Sequence, residues 1–273
     1  MKVRKLLPFV LALGLALTLF LPTQAAELTY EVTGGKLYFD AATGTITRAD
    51  KTITQVDIPA EIYGVPVTTI GDYVFNQHKK LESITIPDTV TTIGRQAFGA
   101  CSSLEQVVLP DSVTLLDQGV FYGCTGLKSV TLSRSLTTIP RDTFASCSSL
   151  TGVTLPEGIT AIGRDAFAGS GITSLTLPNS VTTLSNSSLA DCKNLESLYI
   201  PDSVTFLGEW ALSNCQSLKS VRLPSGITTL PMRLFEGCTN LESCVIPDGV
   251  TLMNDAFRFC RNLKTATIPD SVT

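Results

Sequence analysis

The sequence predicts a right-handed, β-rich α/β solenoid of about 23-residue coils behind a short N-terminal β cap. Three observations predict it: a unit that recurs every 22 or 23 residues from Leu81 onward, a period-2 alternation of apolar and polar residues inside each unit, and a proline at one fixed column. The unit is LESITIPDTVTTIGRQAFGACSS, with full copies beginning at Leu81, Leu104, Leu127, Leu150, Ile172, Leu195, Leu218 and Leu241 and a partial copy at Leu263. A fixed period in this range is the mark of stacked coils, each a single supersecondary unit.

Within a copy, positions 4 and 6 are apolar (Ile84 and Ile86, Val107 and Leu109) while positions 3 and 5 are polar (Ser83 and Thr85). That is the alternation of a half-buried strand. A proline at position 7, as in Pro87, Pro110 and Pro156, ends the strand because it has no N–H to give a neighbouring coil; only Ser133 departs from this. The following V-T-T-I-G piece reads as a second, shorter extended run, and the stretch leading to Phe98, Phe121 or Phe144 as one helical turn. A single coil leaves its strand amides unpaired and both flat faces bare, so it folds only when neighbours cover it.

In chain order, residues 1–25 read as a secretory signal peptide: Lys2, Arg4 and Lys5, an apolar run from Leu6, then the small-residue site Thr23-Gln24-Ala25. No membrane insertion is expected once it is removed. Residues 26–66 are expected to form the β cap, with Gly34-Gly35 and Thr43-Gly44 at its turns. The cap merges into a solenoid over 53–273, comprising a variant coil at 53–80, full repeats at 81–262 and a truncated repeat at 263–273. The last copy completes its strand but not its turn, which leads to the expectation that the chain is part of a longer protein.

The formal net charge is −4. Loss of the three leader bases leaves 17 Lys and Arg against 24 Asp and Glu, a mature charge of −7. An acidic chain without a basic run is a poor ligand for phosphate backbones, so nucleic acid is excluded as a partner.

Seven of the eight cysteines, Cys101, Cys124, Cys147, Cys192, Cys215, Cys238 and Cys260, share one column three residues after the Phe position. Coils stacked about 4.8 Å apart hold equivalent Cβ atoms wider than the ~3.5–4.5 Å of a disulfide, so buried free thiols are expected. Cys244 replaces a core valine. The one histidine, His78, occupies the cysteine column of the variant coil and reads as a packed side chain. No nucleophile motif, metal motif or phosphate loop is present, and an enzyme is not expected, nor a cofactor or metal. The acidic column after the proline, such as Asp88, Asp111 and Asp202, reads as turn residues accepting local backbone N–H groups.

The outward strand positions make a Ser/Thr-rich, nearly uncharged face, from which Tyr199 and Arg222 depart on adjacent coils. Phe206 and Trp210, in the same coil as Tyr199, also replace polar residues, though on other faces of the coil. Tyr and Arg are among the residue types enriched in binding hot spots, so Tyr199, Arg222, Phe206 and Trp210 are the candidate contact residues.

The column pattern L-x-S-[VI]-T-[LI]-P-x-x-V-T-x-[IL]-G-x-x-A-F-x-x-C, from Ile53 to Thr273, resembles the BspA-type leucine-rich repeat family of bacterial secreted and surface proteins. The T-G-G-K-L-Y-F-D entry is similar to segments that precede such arrays. The resemblance implies a curved extracellular solenoid used for adhesion or for binding a protein or glycan, with no catalytic residues to carry over. The alternative is a targeting or spacer arm of a longer secreted enzyme whose catalytic domain lies beyond residue 273.

Overall fold

The structure, a computed structural model, describes residues 27–272; the predicted leader lies outside them. The described residues begin with an antiparallel meander, β1 (Leu28–Val32), β2 (Gly35–Asp40) and β3 (Thr45–Ala49). Gly34 turns β1 into β2 at φ +87°, a region that costs glycine nothing. Leu37, Phe39 and Ile46 are fully buried and close the end of the core.

The meander is hydrogen-bonded into the array itself. β3 is antiparallel to β2 on one edge and parallel to Thr69–Ile70 on the other. The same sheet continues through Thr92–Ile93 to Leu115–Leu116. On the other side of the coil, Gln55–Asp57 pairs in parallel with Ser83–Thr85. The cap therefore holds the first coils along two edges.

Each full coil is bounded by three sides. The long side is a three-residue strand such as Ser197–Tyr199 or Ser220–Arg222, exposed at its first and last residues and buried at its centre. The short side is a two-residue strand such as Thr183–Leu184 or Phe206–Leu207, with the second residue buried. Both sides stack as in-register parallel ladders in several runs. The long ladder parts between Ser83–Thr85 and Gln106–Val108 and again at Thr151–Pro156, which forms no strand, and the short ladder parts after Leu115–Leu116 and after Phe206–Leu207. The third side carries the aromatic column. Phe75, Phe98, Phe121, Phe144 and Phe167 stack face to face with ring centroids 5.3–5.6 Å apart; Leu189 and Leu212 interrupt the stack, and Phe235 and Phe257 resume it.

That third side is not the helical turn the sequence suggests, and no helix occurs among the described residues. In every coil the residues two before and two after the aromatic column have positive φ, as at Gln96 (46°) and Ala100 (55°) around Phe98, or Gly119 and Gly123 around Phe121. Left-handed residues two places either side of the column forbid a continuous helical run. The freed amides pair between coils. The N–H groups of Gln96, Phe98 and Ala100 donate to the carbonyls of Gln118, Val120 and Tyr122 in the next coil, at 2.6–3.0 Å. The intervening amides, such as Gly99 to Gln96 and Cys101 to Phe98, close local turns.

Two acids of the column after the proline bond between coils. The Oδ1 atoms of Asp111 and Asp202 accept the backbone N–H groups of Arg134 and Ser225, each 23 residues on. The sequence reading of these acids as local turn acceptors has the right donor type and the wrong coil. Where Ser133 replaces proline, its buried hydroxyl donates to the Val113 carbonyl at 2.6 Å.

Candidate functional site

The long-strand ladder fixes the register of its outward side chains, so residues at the same column of adjacent coils lie side by side. Tyr199 pairs with Arg222, and Arg222 with Val245. Tyr199 and Val245 are 54% and 68% exposed, on a face that is mostly Ser and Thr and elsewhere carries an exposed Val108. The Arg222 guanidinium lies 5.2 Å from the centroid of the Tyr199 ring, and its Nη1 donates to the Tyr199 hydroxyl at 3.2 Å. Its Nη2 donates to Asp202 at 2.8 Å. Arg222 and the Ser225 amide hold the Asp202 carboxyl down at about 2, so the ion pair persists through the physiological range. A side chain tied at both ends loses little rotamer freedom when a partner arrives. Asp202, which the sequence offered only as a turn acid, is thus a positioning residue for this patch, and Val245 extends it.

The other two candidates lie elsewhere. Phe206 stands on the short-strand ladder beside Thr183 and is 52% exposed. Trp210 occupies the left-handed position of the third side, with φ +55°, half-buried beneath Arg233 of the next coil, whose guanidinium carbon lies 5.9 Å from its ring centroid. The structure brings Tyr199 together with Arg222 and places Phe206 and Trp210 on two other sides of the coil. One ligand of modest size would not meet all four.

The sequence reading did not find a recess at the N-terminal end of the long face. It has a volume of about 590 Å³ and runs between β1 and the strands of the first coils, lined by Tyr30, Glu31, Gln55, Asp57 and Ser83 among others. A second hollow of about 490 Å³ adjoins it around Thr85, Gln106 and Val108. No residue pattern announces the first, because one wall comes from β1 and another from Ser83 of the array; the second lies wholly within the array, between two successive long strands.

The groups with latent reactivity are committed to structure. All eight cysteines are free thiols. Each column thiol donates to the carbonyl of the aromatic-column residue of the preceding coil, as Cys124 to Phe98 at 3.0 Å and Cys215 to Leu189 at 3.3 Å. Burial pushes Cys147 and Cys192 up to about 12, which suppresses the nucleophilic thiolate. Among the described residues no group of three or more His, Cys, Asp or Glu is placed to hold a metal ion.

Residues 68–196 and 160–273 match the family model described as BspA type leucine-rich repeat region. No curated protein matches the chain. Among solved structures it is similar to a leucine-rich cell surface protein from Faecalibacterium prausnitzii, 28% identical over 91% of this chain and 90% of that one, with a TM-score of 0.51. It is also similar to the pneumococcal vaccine antigen PcpA, at 22% identity over 73% of this chain and 62% of that one, with a TM-score of 0.50; at that identity the likeness concerns the fold.

Proposed function

From the premise that this chain belongs to the BspA-type leucine-rich repeat family, we propose that it is a non-catalytic binding solenoid, secreted or displayed on a bacterial surface. It contacts an extracellular protein or glycan through the exposed face of its long-strand ladder. The observation that carries this reading is the register pairing of Tyr199, Arg222 and Val245 on a sheet face that is mostly Ser and Thr. An aromatic ring, a guanidinium fixed by Asp202 and an exposed aliphatic group form the kind of compact anchor that dominates interface energetics. The surrounding hydroxyls are small enough to let a partner approach closely. Secretion accords with the leader motif, and surface display with the likeness to the Faecalibacterium cell surface protein.

The test is binding of the protein to an array of extracellular-matrix proteins and glycans, beside a Tyr199→Ser/Arg222→Ser variant and a Phe206→Ser/Trp210→Ser variant. The expected result is saturable binding that the first variant loses, by tenfold or more, and the second keeps. Loss only in the second variant would move the contact to another side of the coil. No saturable binding by the parent protein would favour a spacer or targeting arm instead.

A further inference from the structure

At the junction between cap and array stands the one histidine of the chain, the residue type whose ordinary titration lies nearest neutrality. His78 stands in the column that cysteine fills in most later coils, and like those cysteines it reaches back to a carbonyl of the preceding element. Here the carbonyl belongs to Asp50, just after β3, and the His78 Nε2 lies 3.2 Å from it. The backbone shares this arrangement: the Ile53 amide donates to the Asp50 carbonyl at 3.2 Å, as the amides of Cys101, Cys124, Cys147, Cys238 and Cys260 donate to the aromatic-column carbonyls of their own coils. The Asp50 carboxylate is turned the other way, onto the Lys36 amide at 3.0 Å and the Tyr38 hydroxyl at 3.2 Å, both on β2. His78, Asp50 and β2 form one continuous link.

The second ring nitrogen faces a cation. Nδ1 lies 3.4 Å from Nζ of Lys51, which also donates to the Asn76 carbonyl. An acceptor at Nδ1 and a carbonyl at Nε2 fix the neutral ring with its proton on Nε2. The ring is 2% exposed and packs edge-on against Phe75 at 5.4 Å. The Cys101 thiol on the following coil is committed to the Phe75 carbonyl. From the cap the charged group against the ring is Lys51; from its own coil and the next, Phe75 and Cys101 bring no charge. A proton added at Nδ1 would meet the Lys51 ammonium beside a buried ring, with no carboxylate hydrogen-bonded to that ring to offset it.

We infer that His78 is an acid-sensitive lock on the N-terminal cap, and that protonating its ring releases β1–β3 from the array. Burial first and Lys51 second hold the imidazole below its ordinary 6.5 in the folded state. The neutral ring is therefore the form that the docked cap prefers. Its contribution is complete above pH 6.5 and is lost as pH falls from there through the folded value. Since β1 supplies one wall of the N-terminal recess, the same step removes that wall.

The experiment is amide hydrogen exchange of the protein between pH 7.5 and 5, corrected for intrinsic exchange, with NMR titration of the one imidazole. His78→Gln keeps an N–H donor toward Asp50 and does not titrate. The parent is expected to show cap amides of residues 28–49 opening more often as pH falls, by up to about tenfold per unit below 6.5, while amides of the central coils hold steady. In His78→Gln that slope disappears. Protection of the cap that ignores pH, or an equal slope in His78→Gln, overturns the inference. Should that variant not fold, the titration decides alone: an imidazole that titrates at or above 6.5 in the native protein overturns the lock, and one that titrates below it and rises in Lys51→Gln supports it.

Discussion

Ala100, an L-residue with a Cβ, sits at φ +55°. Holding an L-residue there costs roughly 1–2 kcal/mol, of which glycine's extra unfolded freedom returns about 0.5–1. Ala100→Gly is therefore expected to raise stability by about 0.5–1 kcal/mol, read as a shift in urea midpoint at constant m-value. The thiols give a second residue-level expectation. Cys147 and Cys192 stand at about 12 in the fold against an ordinary 9.0, so the folded state binds their protons more tightly than the unfolded one. Their contribution is complete below pH 9 and declines as pH rises toward 12. Iodoacetamide at pH 8 should leave the folded column thiols unmodified and label all eight cysteines once the chain is unfolded without reductant. Neither feature is written in residue type alone: Gln96, Ala100 and Ser146 are not residues that advertise a left-handed backbone. The candidate patch was half legible for a similar reason. Tyr199 and Arg222 stand out against their columns, whereas Asp202 looks like every other post-proline acid until the register places it under Arg222.

At the scale of one coil, the strands were readable because alternation and proline report burial and hydrogen bonding directly. The third side was not, because an apolar residue every coil, flanked by polar ones, fits a helical turn as well as it fits a ladder of inter-coil amides. The aromatic column makes the coil's tolerance predictable. Phe121 is fully buried between Phe98 and Phe144, with ring centroids 5.5 and 5.6 Å away. Phe121→Ala should cost about 3–5 kcal/mol. Phe167→Leu, next to a coil that already carries Leu189 in that column, should cost about 1.5 kcal/mol or less. Equilibrium denaturation of the two variants checks both, and equal losses would mean that the column is not the keystone of the coil.

At the scale of the whole molecule, coils contact their neighbours and little else, so the array behaves as a one-dimensional stack. Removing residues 127–149, one complete 23-residue coil, joins Gly126 to Leu150 with every column still aligned. That deletion should leave the circular dichroism spectrum and a cooperative transition intact, whereas removing 12 residues from the same region should abolish both. The stack also has a direction. On the third side, the peptide units 95–96, 97–98 and 99–100 each receive a hydrogen bond at the carbonyl from the coil before and give one from the N–H to the coil after. The same sense is kept in every coil from the one containing Phe75 to the one containing Phe257. Peptide dipoles of about 3.5 D each are thus joined head to tail along the long axis, and they add instead of cancelling as neighbouring strands do. Their negative pole is the N-terminal end, where the Lys51 ammonium rests on the Asn76 carbonyl. Their positive pole is the opposite end. A molecule with a net negative charge thereby carries a built-in axial field whose sense opposes that of an α-helix, and each added coil lengthens it.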